Sequence, residues 1–262
     1  MLRGFSVILP CYNESKNIPL IVEKFQTYWP KYNFELILVN NGSLDNSQEV
    51  LEDLQLKYPD IIRIIKIEKN IGYGHGVFEG LKQSKSNIVS YSHADIQTPP
   101  EDIFKAFDIY KEQAKHREKI LVKGLRLNRR SNELFLAKSL AKVVKIILGY
   151  NLEDINGQPK MFSKVLLDSF VNPPTDFSFD VYVMYKAKCC EYELVTFPVD
   201  FGARIHGESN WGGTILAKYK TILKYLVSIN KMAIKNCKQK YSFYNKIYKF
   251  VSLFNINIKN IF

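Results

Sequence analysis

Short β-rich segments alternate with amphipathic helical patterns through the first half of the sequence, and this alternation limits the fold more than any other feature. Strands are predicted at Phe5–Leu9, Phe34–Val39, Ile61–Ile67, Asn87–Ser92, Lys119–Leu125 and Leu194–Phe201. Helices are predicted at Val77–Gln83, Pro99–Lys115, Asn132–Leu148 and Asp180–Cys189, with two more after the first two strands. Such alternation is typical of βαβ units and predicts an α/β fold with a mostly parallel sheet.

The helix predicted from Pro99 has the clearest start in the sequence. Thr98 is a candidate N-cap, and Glu101 stands three residues later, as a capping box requires. Proline suits the first turn of a helix because that position needs no backbone N–H partner. We therefore expect Thr98 to cap this helix.

The length of 262 residues and the apolar content of 46% allow one sizeable domain with an appendage. We predict a folded domain over residues 1–210 and a tail over residues 211–262. No acidic residue follows Glu208, whereas ten lysines do, so nearly all of the net charge of +11 belongs to the tail.

Cysteine usage and the start of the chain bear on the compartment. The four cysteines lack Cys-x-x-Cys spacing, which argues against a zinc ribbon or a disulfide framework and favours a reducing compartment. Met1–Gly4 leads directly into a strand, so we expect no signal peptide. No run of 18 apolar residues occurs, so we expect a cytoplasmic protein, peripheral on the inner face of a membrane.

Polar segments follow three predicted strands: Pro10–Glu14, Asn40–Asp45 and His93–Gln97. Ligands of open α/β sheets bind beyond the carboxyl ends of strands, so we expect these segments to meet around one ligand. Taken singly, each has a plainer interpretation as a turn or a helix cap.

Together, these segments resemble the family 2 glycosyltransferases of the GT-A fold, over most of residues 5–210. Pro10-Cys11-Tyr12-Asn13-Glu14 is similar to the family's Pro-x-Tyr-Asn-Glu opening, and Val39–Asp45 is similar to its Val-Asp-Asp-Gly-Ser-x-Asp. The resemblance implies a Rossmann-like sheet flanked by helices that binds a nucleoside diphosphate sugar. The donor-binding residues it implies are Pro10, Tyr12, Glu14, Asn40, Asn41, Asp45, Gly72, His93, Ala94, Asp95 and Arg204.

Two features near these motifs differ from a standard pattern. Asn40 and Asn41 stand where the family has carboxylates, although neutral amides still hydrogen-bond a base edge. Gly72–Gly76 invites a dinucleotide-binding interpretation, but Val77 occupies the place of the third glycine. We interpret those glycines as a permissive turn ahead of a helix.

His93-Ala94-Asp95-Ile96-Gln97 resembles the Asp-x-Asp-x-Gln of the polyprenyl-phosphate sugar transferases within this family. The resemblance implies that Asp95, Gln97 and His93 hold Mn²⁺ or Mg²⁺ against the diphosphate. Hard cations prefer oxygen ligands and neutralise the charge that collects on a departing diphosphate. The alternative is that His93 is a hydrogen-bonded loop histidine.

A basic cluster follows the predicted strand Lys119–Leu125, and it resembles the arginine-bearing loop of the dolichol-phosphate mannose synthase group. A guanidinium group can donate two parallel hydrogen bonds to phosphate oxygens, which suits a phosphate-binding loop. The alternative interpretation is a solvated basic loop. Asp154–Lys160 is similar to a further acceptor-side segment of that group. The phosphate-binding or acceptor-binding residues predicted here are Lys123, Arg126, Arg129, Arg130, Gln158 and Lys160.

Asp180 is the candidate catalytic base, because Phe179-Asp180 resembles the start of a helix that borders the donor sugar. A phosphate acceptor is already a nucleophile and needs no base, in which case Asp180 orients sugar or arginine. The predicted catalytic set is Asp95, Asp180, Arg126 and Arg130. Arg204–Ser209 resembles a loop that closes over the donor, with a plain linker as the alternative.

The tail has an apolar stripe at helical spacing, and its lysines lie on the opposite face. The stripe consists of Ile215, Tyr219, Ile222, Leu226, Ile229 and Ala233. This pattern predicts a basic amphipathic helix on an anionic membrane surface. The alternative is a helix packed on the core or on a second subunit, which leaves a homo-oligomer open.

The sequence therefore predicts an inverting glycosyltransferase that moves a sugar from a nucleoside diphosphate to a polyprenyl phosphate at a membrane. A second hypothesis keeps the donor but delivers the sugar to a saccharide hydroxyl during surface-polysaccharide assembly. A third, of another class, is a non-catalytic membrane-surface binding protein. Nucleic acid is disfavoured as a partner because residues before the tail are nearly neutral.

Overall fold

The computed structural model describes residues 4–127, 131–200, 202 and 225–233. The strands are β1 (Phe5–Cys11), β2 (Phe34–Asn41), β3 (Ile62–Ile67), β4 (Ile88–Tyr91), β5 (Ile120–Arg126), β6 (Lys160–Ser163) and β7 (Glu193–Val199). The helices are α1 (Asn17–Gln26), α2 (Ser47–Lys57), α3 (Tyr73–Gln83), α4 (Pro100–Ala114), α5 (Ser131–Leu148) and α6 (Phe179–Cys189). A short 3-10 helix, Lys164–Ser169, follows β6, and residues 225–233 are also helical.

The seven strands form one sheet in the order β3-β2-β1-β4-β6-β5-β7. All neighbours run parallel except β6, which is antiparallel to both β4 and β5. The predicted α/β fold with a mostly parallel sheet is confirmed, but β6 was not predicted. Because β6 is reversed, its first residue, Lys160, lies beside Tyr91 at the edge where β4 ends.

Helices cover both faces of the sheet. Val7 and Leu9 of β1 join one buried cluster with Phe104 of α4, whereas Ile8 points to the other face and joins Phe179 of α6. Every residue of β2 is buried as well. Burial on both faces is what makes a central parallel strand read as a continuous apolar run.

The predicted capping box at α4 is wrong. The N-cap of α4 is Pro99, whose backbone is extended, and no side chain caps the helix. Thr98 is buried one residue before the cap position, so its hydroxyl does not serve the first turn.

The start of α3 also differs from prediction, because the helix begins at Tyr73 rather than at Val77. Gly72 precedes it with a φ of 137°, and a Cβ there would lie 2.4 Å from the carbonyl oxygen of Thr175. Gly76 lies inside the helix, where a Cβ would stand 3.0 Å from the side chain of Asn41. These glycines therefore allow close packing of the helix start rather than forming only a turn.

Residues 225–233 pack on the domain instead of standing apart from it. Ile229 is fully buried in a cluster that includes Val144 of α5 and Val181 of α6, and Ala233 packs against the same cluster. For Ile229 and Ala233 the predicted membrane-facing stripe is wrong, because protein covers this side of the helix. The other residues of that stripe, except Leu226, lie outside the described part of the chain. No helix among the described residues is long and apolar enough to cross a membrane.

Candidate functional site

The loops that follow β1 and β2 are tied to each other at the carboxyl edge of the sheet. The backbone N–H of Asn13 donates to Oγ of Ser43 at 3.1 Å, and Oδ1 of Asn13 accepts the N–H of Leu44 at 2.8 Å. Asn13 has a φ of 55°, a conformation that asparagine adopts more readily than most residues. Reciprocal hydrogen bonds of this kind make the two loops one structural unit.

Asp45 belongs to the same unit. Its Oδ1 accepts the backbone N–H of Ser47, the first residue of α2, at 3.1 Å, and its Oδ2 accepts the N–H of Ser15 at 3.3 Å. Burial works to raise the pKa of Asp45, but the hydrogen bonds from Ser47 and Ser15 outweigh it and lower the pKa. The carboxylate therefore stays ionised and anchors the start of α2, as the plainer interpretation of this residue expected.

The two asparagines at the end of β2 are buried and bonded inside the protein. Asn40 donates to Oε1 of Gln48 at 2.6 Å and accepts the backbone N–H of Ser43 at 3.0 Å. Asn41 donates to the carbonyl of Gly72 at 3.0 Å, whereas its Oδ1 has no hydrogen-bond partner within the described ranges. Of the two predicted donor-binding amides, Asn41 retains an acceptor for a ligand.

The remaining residues of the β1 motif border the same edge. Tyr12 is exposed, and Pro10 is partly buried within β1. Oε2 of Glu14 accepts a hydrogen bond from Nδ2 of Asn17 at 2.5 Å, and the N–H of Glu14 donates to Oγ of Ser47 at 3.1 Å. Glu14 thus fixes the start of α1, while Tyr12 presents its ring to solvent.

A strained turn follows β4. Ile96 has a φ of 63°, an outlier for a β-branched residue, and it lies between Asp95 and Gln97. Oδ1 of Asp95 accepts the N–H of Gln97 at 3.2 Å, and Nε2 of Gln97 donates to the carbonyl of Gly202 at 3.0 Å. Ala94 is buried beside them. The carboxylate of Asp95 therefore stabilises the turn from within, and the side chain of Gln97 ties the turn to the backbone of Gly202.

His93 lies against the ring of Tyr73, with the ring centroids 5.2 Å apart. Burial lowers the pKa of His93, while the charges of Asp95 and Asp180 oppose this and those of Lys160 and Arg126 reinforce it. His93 is therefore neutral at pH 7 and retains a nitrogen lone pair. The charges that act on the imidazole thus come from the β4 turn, from β5 and β6, and from the start of α6.

Asp180, at the start of α6, is the centre of a buried hydrogen-bond network. Its Oδ1 accepts from the hydroxyl of Tyr91 at 2.8 Å, from Nε2 of Gln158 at 3.1 Å and from Nζ of Lys160 at 2.8 Å. The side chain is only 2% exposed. Nε2 of Gln158 lies 3.3 Å from the hydroxyl of Tyr73 as well, which joins the network to the ring beside His93.

Lys123 and Lys160 are fully buried and face each other across the β5–β6 pairing. Nζ of Lys160 bonds Asp180 and the carbonyl of Gly157, whereas Nζ of Lys123 donates to the carbonyl of Glu153 at 3.1 Å. Burial, together with the charge of Lys160, lowers the pKa of Lys123 to about 7. Burial also lowers the pKa of Lys160, although Asp180 opposes this.

These positions correct the predicted placement of the lysines. Lys123 lies inside β5 with its side chain buried, and Lys160 begins β6 with its ammonium held by Asp180. Both side chains fill the interior below the edge of the sheet because the carbonyls and the carboxylate there satisfy them. Neither ammonium is placed in solvent to meet a phosphate.

Arg126 ends β5 and forms a two-pronged ion pair with Asp154. Its Nη2 lies 2.5 Å from Oδ1, and its backbone N–H donates to Oδ2 at 2.8 Å. Burial would raise the pKa of Asp154, but the bonds and charge of Arg126 lower it overall. Arg129, Arg130 and Arg204 lie outside the described residues.

No group of three or more histidine, cysteine, aspartate or glutamate side chains within the described residues forms a metal cage. A divalent cation that binds a nucleotide takes one or two protein carboxylates and obtains its other oxygens from phosphate and water. Asp95, neutral His93 and the amide of Gln97 fit such a partial ligand set.

Residues 6–170 match the family model described as glycosyl transferase family 2. The chain belongs to glycosyl transferase family 2. The matched segment runs from β1 through β6, whereas α6 and residues 225–233 lie beyond it.

Relatives within the family are similar over different lengths. The chain is 28% identical over 234 residues to a dolichol-phosphate mannosyltransferase of Pyrococcus furiosus, covering 87% of this chain and 63% of that one. It is 31% identical over 100 residues to an undecaprenyl-phosphate 4-deoxy-4-formamido-L-arabinose transferase of Pseudomonas fluorescens, covering 37% and 29%. The chain thus spans less than two thirds of the length of either relative.

The fold is shared with glucosyl-3-phosphoglycerate synthase of Mycobacterium tuberculosis, solved with Mn²⁺, uridine diphosphate and glucosyl-3-phosphoglycerate. The TM-score is 0.65 at 16% identity, with 90% of this chain and 82% of that chain covered. This likeness confirms the GT-A-like architecture.

Sequence reasoning missed two contributors to the site. Tyr91 was assigned only to a strand, and Tyr73 was placed in a turn. A tyrosine at the carboxyl end of a predicted strand is the one signal that could have pointed to Tyr91, since its hydroxyl needs a partner when buried.

Proposed function

We propose that this family 2 member is an inverting glycosyltransferase that moves a sugar from a nucleoside diphosphate to a polyprenyl phosphate. The names of both relatives, one a dolichol-phosphate and the other an undecaprenyl-phosphate transferase, support this acceptor class. The likeness of Pro10–Glu14, Val39–Asp45 and His93–Gln97 to the family's motifs supports the donor class.

The state of Asp180 is the observation that carries the choice of acceptor. Its Oδ1 already accepts three hydrogen bonds, one of them from the ammonium of Lys160, and the side chain is 2% exposed. A carboxylate oxygen already engaged by three hydrogen bonds inside the protein is poorly placed to reach the proton of an acceptor hydroxyl. A saccharide hydroxyl needs a base, whereas a phosphate monoester attacks without one.

In this proposal the residues around Asp95 hold the diphosphate end of the donor. Asp95, His93 and Gln97 would bind Mn²⁺ or Mg²⁺, which supplies positive charge to the oxygens of the leaving diphosphate. Because burial lowers the pKa of His93, the imidazole presents a lone pair and does not repel the cation. Asn41, beside Gly72 and Gly76, contributes an unpaired amide oxygen to the nucleoside side.

The place of action is part of the proposal. Ten lysines lie between Lys218 and Lys259 with no acidic residue among them, and this charge suits an anionic membrane surface on the cytoplasmic side. A polyprenyl phosphate would be met at that surface. Residues 225–233 pack on the domain, so the lysines outside that helix carry the attraction.

The test is product formation by the full chain. Purified protein with Mn²⁺ is incubated with UDP-glucose or GDP-mannose and either a polyprenyl phosphate or a saccharide acceptor, and lipid-linked sugar is measured by mass spectrometry. We expect transfer to the lipid phosphate, lost on addition of a chelator. Transfer only to the saccharide would favour the second hypothesis, and no transfer from a wider donor panel would favour a binding protein.

Asp180→Asn separates the two acceptors. We expect transfer to a phosphate acceptor to fall by about tenfold, one hydrogen-bonded network being weakened without loss of a base. Transfer to a saccharide hydroxyl should fall by at least about a hundredfold if Asp180 is its base. Rates are compared at a temperature where circular dichroism shows the variant folded.

A further inference from the structure

Tyr225 has a buried hydroxyl that lacks a hydrogen-bond partner among the described residues. The residue opens the helical segment 225–233, is 5% exposed, and packs in one cluster with Ile155, Val181 and Tyr182. Leaving a buried hydroxyl unpaired costs about 1–3 kcal/mol, a cost that phenylalanine would avoid. Such a group calls for an explanation, and a bound ligand is one.

The packing of Tyr225 places it beside the start of α6. Its cluster includes Val181, which follows Asp180, and Ile155, which lies three residues before Gln158. Burial raises the pKa of Tyr225, and the charges of Asp180 and Asp176 raise it further, in keeping with this placement. Tyr225 therefore lies beside the segments that carry the Asp180 network.

Gln158 supplies a second unpaired atom to this network. Its Nε2 donates to Asp180, while its Oε1 is buried without a partner within the described ranges. Tyr225 and Gln158 thus offer a donor and an acceptor that no described residue pairs, on segments that meet in one cluster. A sugar hydroxyl both donates and accepts, so it complements this pair of atoms.

A phosphate suits the position less well. Asp180 and Asp176 place two negative charges near the Tyr225 hydroxyl, and only Arg126 opposes them, with its guanidinium engaged by Asp154. Like charges repel strongly where water is excluded. A neutral, hydroxyl-rich group is the ligand chemistry that the surroundings accept.

We propose that Tyr225, with Gln158, binds a hydroxyl of the transferred sugar, so that the helical segment 225–233 completes the donor site from outside the family-matched residues 6–170. This inference rests on the proposed function, because it assumes a nucleoside diphosphate sugar as donor. Residues 225–233, which the sequence places in a membrane-binding tail, then form part of the donor site.

Tyr225→Phe in the full chain is the test, read by thermal unfolding and by kinetics. We expect an unchanged or raised melting temperature, since the lost hydroxyl has no hydrogen-bond partner among the described residues. Stabilisation by UDP or GDP alone should match the wild type, whereas the added stabilisation by UDP-glucose or GDP-mannose should shrink. The value of kcat/KM should fall by about tenfold.

Tyr182→Phe is the matched control, because Tyr182 belongs to the same cluster. Its hydroxyl accepts the N–H of Val171 at 2.8 Å and donates to the carbonyl of Val171 at 3.3 Å. We expect a lower melting temperature with an unchanged difference between nucleotide sugar and nucleotide. The two tyrosines should thus show opposite effects on stability and ligand binding.

Two results overturn the inference: a Tyr225→Phe protein with wild-type response to the nucleotide sugars, or one that loses stabilisation by UDP and GDP equally. A wild type that no nucleotide sugar stabilises beyond its nucleotide also overturns it. If Tyr225→Phe shows the expected binding loss while the wild type transfers sugar to no acceptor, the subsite stands and the proposed function fails.

Discussion

The two sides of the site are stabilised by different kinds of interaction. On the β1–β2 side, exposed loops are joined by hydrogen bonds near the surface, such as the neutral bond of 3.1 Å from the Asn13 N–H to Oγ of Ser43. On the β5–β6 side, Lys123, Lys160 and Asp180 are buried charges that depend on one another. The first side tolerates the loss of a bond because water replaces it, whereas the second does not, because no water reaches the exposed charge.

Among the variants that test this difference, Lys160→Met should have the largest effect on stability. It leaves the buried Asp180 carboxylate without its cation, and the free energy of unfolding should fall by about 3–5 kcal/mol. Urea denaturation followed by circular dichroism measures the change. Lys66→Met is the control, since Lys66 makes only an exposed ion pair with Glu68, and its effect should stay within about 0.5 kcal/mol.

A loss for Lys160→Met no larger than that for Lys66→Met would show that the buried cluster does not behave as a coupled pair. The double variant Lys160→Met with Asp180→Asn removes both charges. It should recover part of the stability, because no uncompensated charge remains.

Because Lys123 is buried, it should make the free energy of unfolding depend on pH. Its pKa falls from an unfolded value near 10.5 to about 7 in the folded protein. Between these values the unfolded state binds more protons, so this lysine's penalty shrinks as pH rises, by up to about 1.4 kcal/mol per pH unit. Lys123→Met should therefore be more stable than the wild type at pH 7, with the difference shrinking toward pH 10.

Unfolding in urea at pH 7, 8, 9 and 10 checks this slope. A difference between Lys123→Met and wild type that stays constant with pH would mean that Lys123 keeps its proton in the folded protein.

Ser43→Ala tests the neutral side and should have the smallest effect. It removes the acceptor of the Asn13 N–H bond, at a cost of about 1 kcal/mol to the free energy of unfolding. Leu44→Ala, in the same loop but highly exposed, should change it by less than about 0.5 kcal/mol. A Ser43→Ala loss as large as that of Lys160→Met would remove the distinction between the two sides.

The same contrast explains what the sequence could predict. Local patterns specify β1, β2 and β5, whose apolar runs match the observed strands to within two residues. The strand β6 was missed because it has only four residues and begins with a lysine. No local sequence pattern near Lys160 indicates that Asp180, twenty residues later, pairs with its charge.

A sequence shows which residues are charged and which segments are amphipathic, but it does not show which group pairs with the charge or which surface covers the apolar face. Lys123 was predicted to bind phosphate because its charge can be seen and its burial cannot. The stripe through Ile229 has the same spacing whether a membrane or α6 covers it. Residues 93–97 were placed correctly at the sheet edge because that prediction required only the strand before them.

The reversed direction of β6 has a consequence for how relatives of this chain can diverge. The chain enters β6 at the edge where β4 ends, so residues 149–159 lead directly to Lys160 and its bond with Asp180, while residues after Ser163 leave at the far edge. Lengthening this segment would change the surroundings of Asp180 without shifting the strand pairing. Loop exchange can therefore alter the site while the sheet is kept.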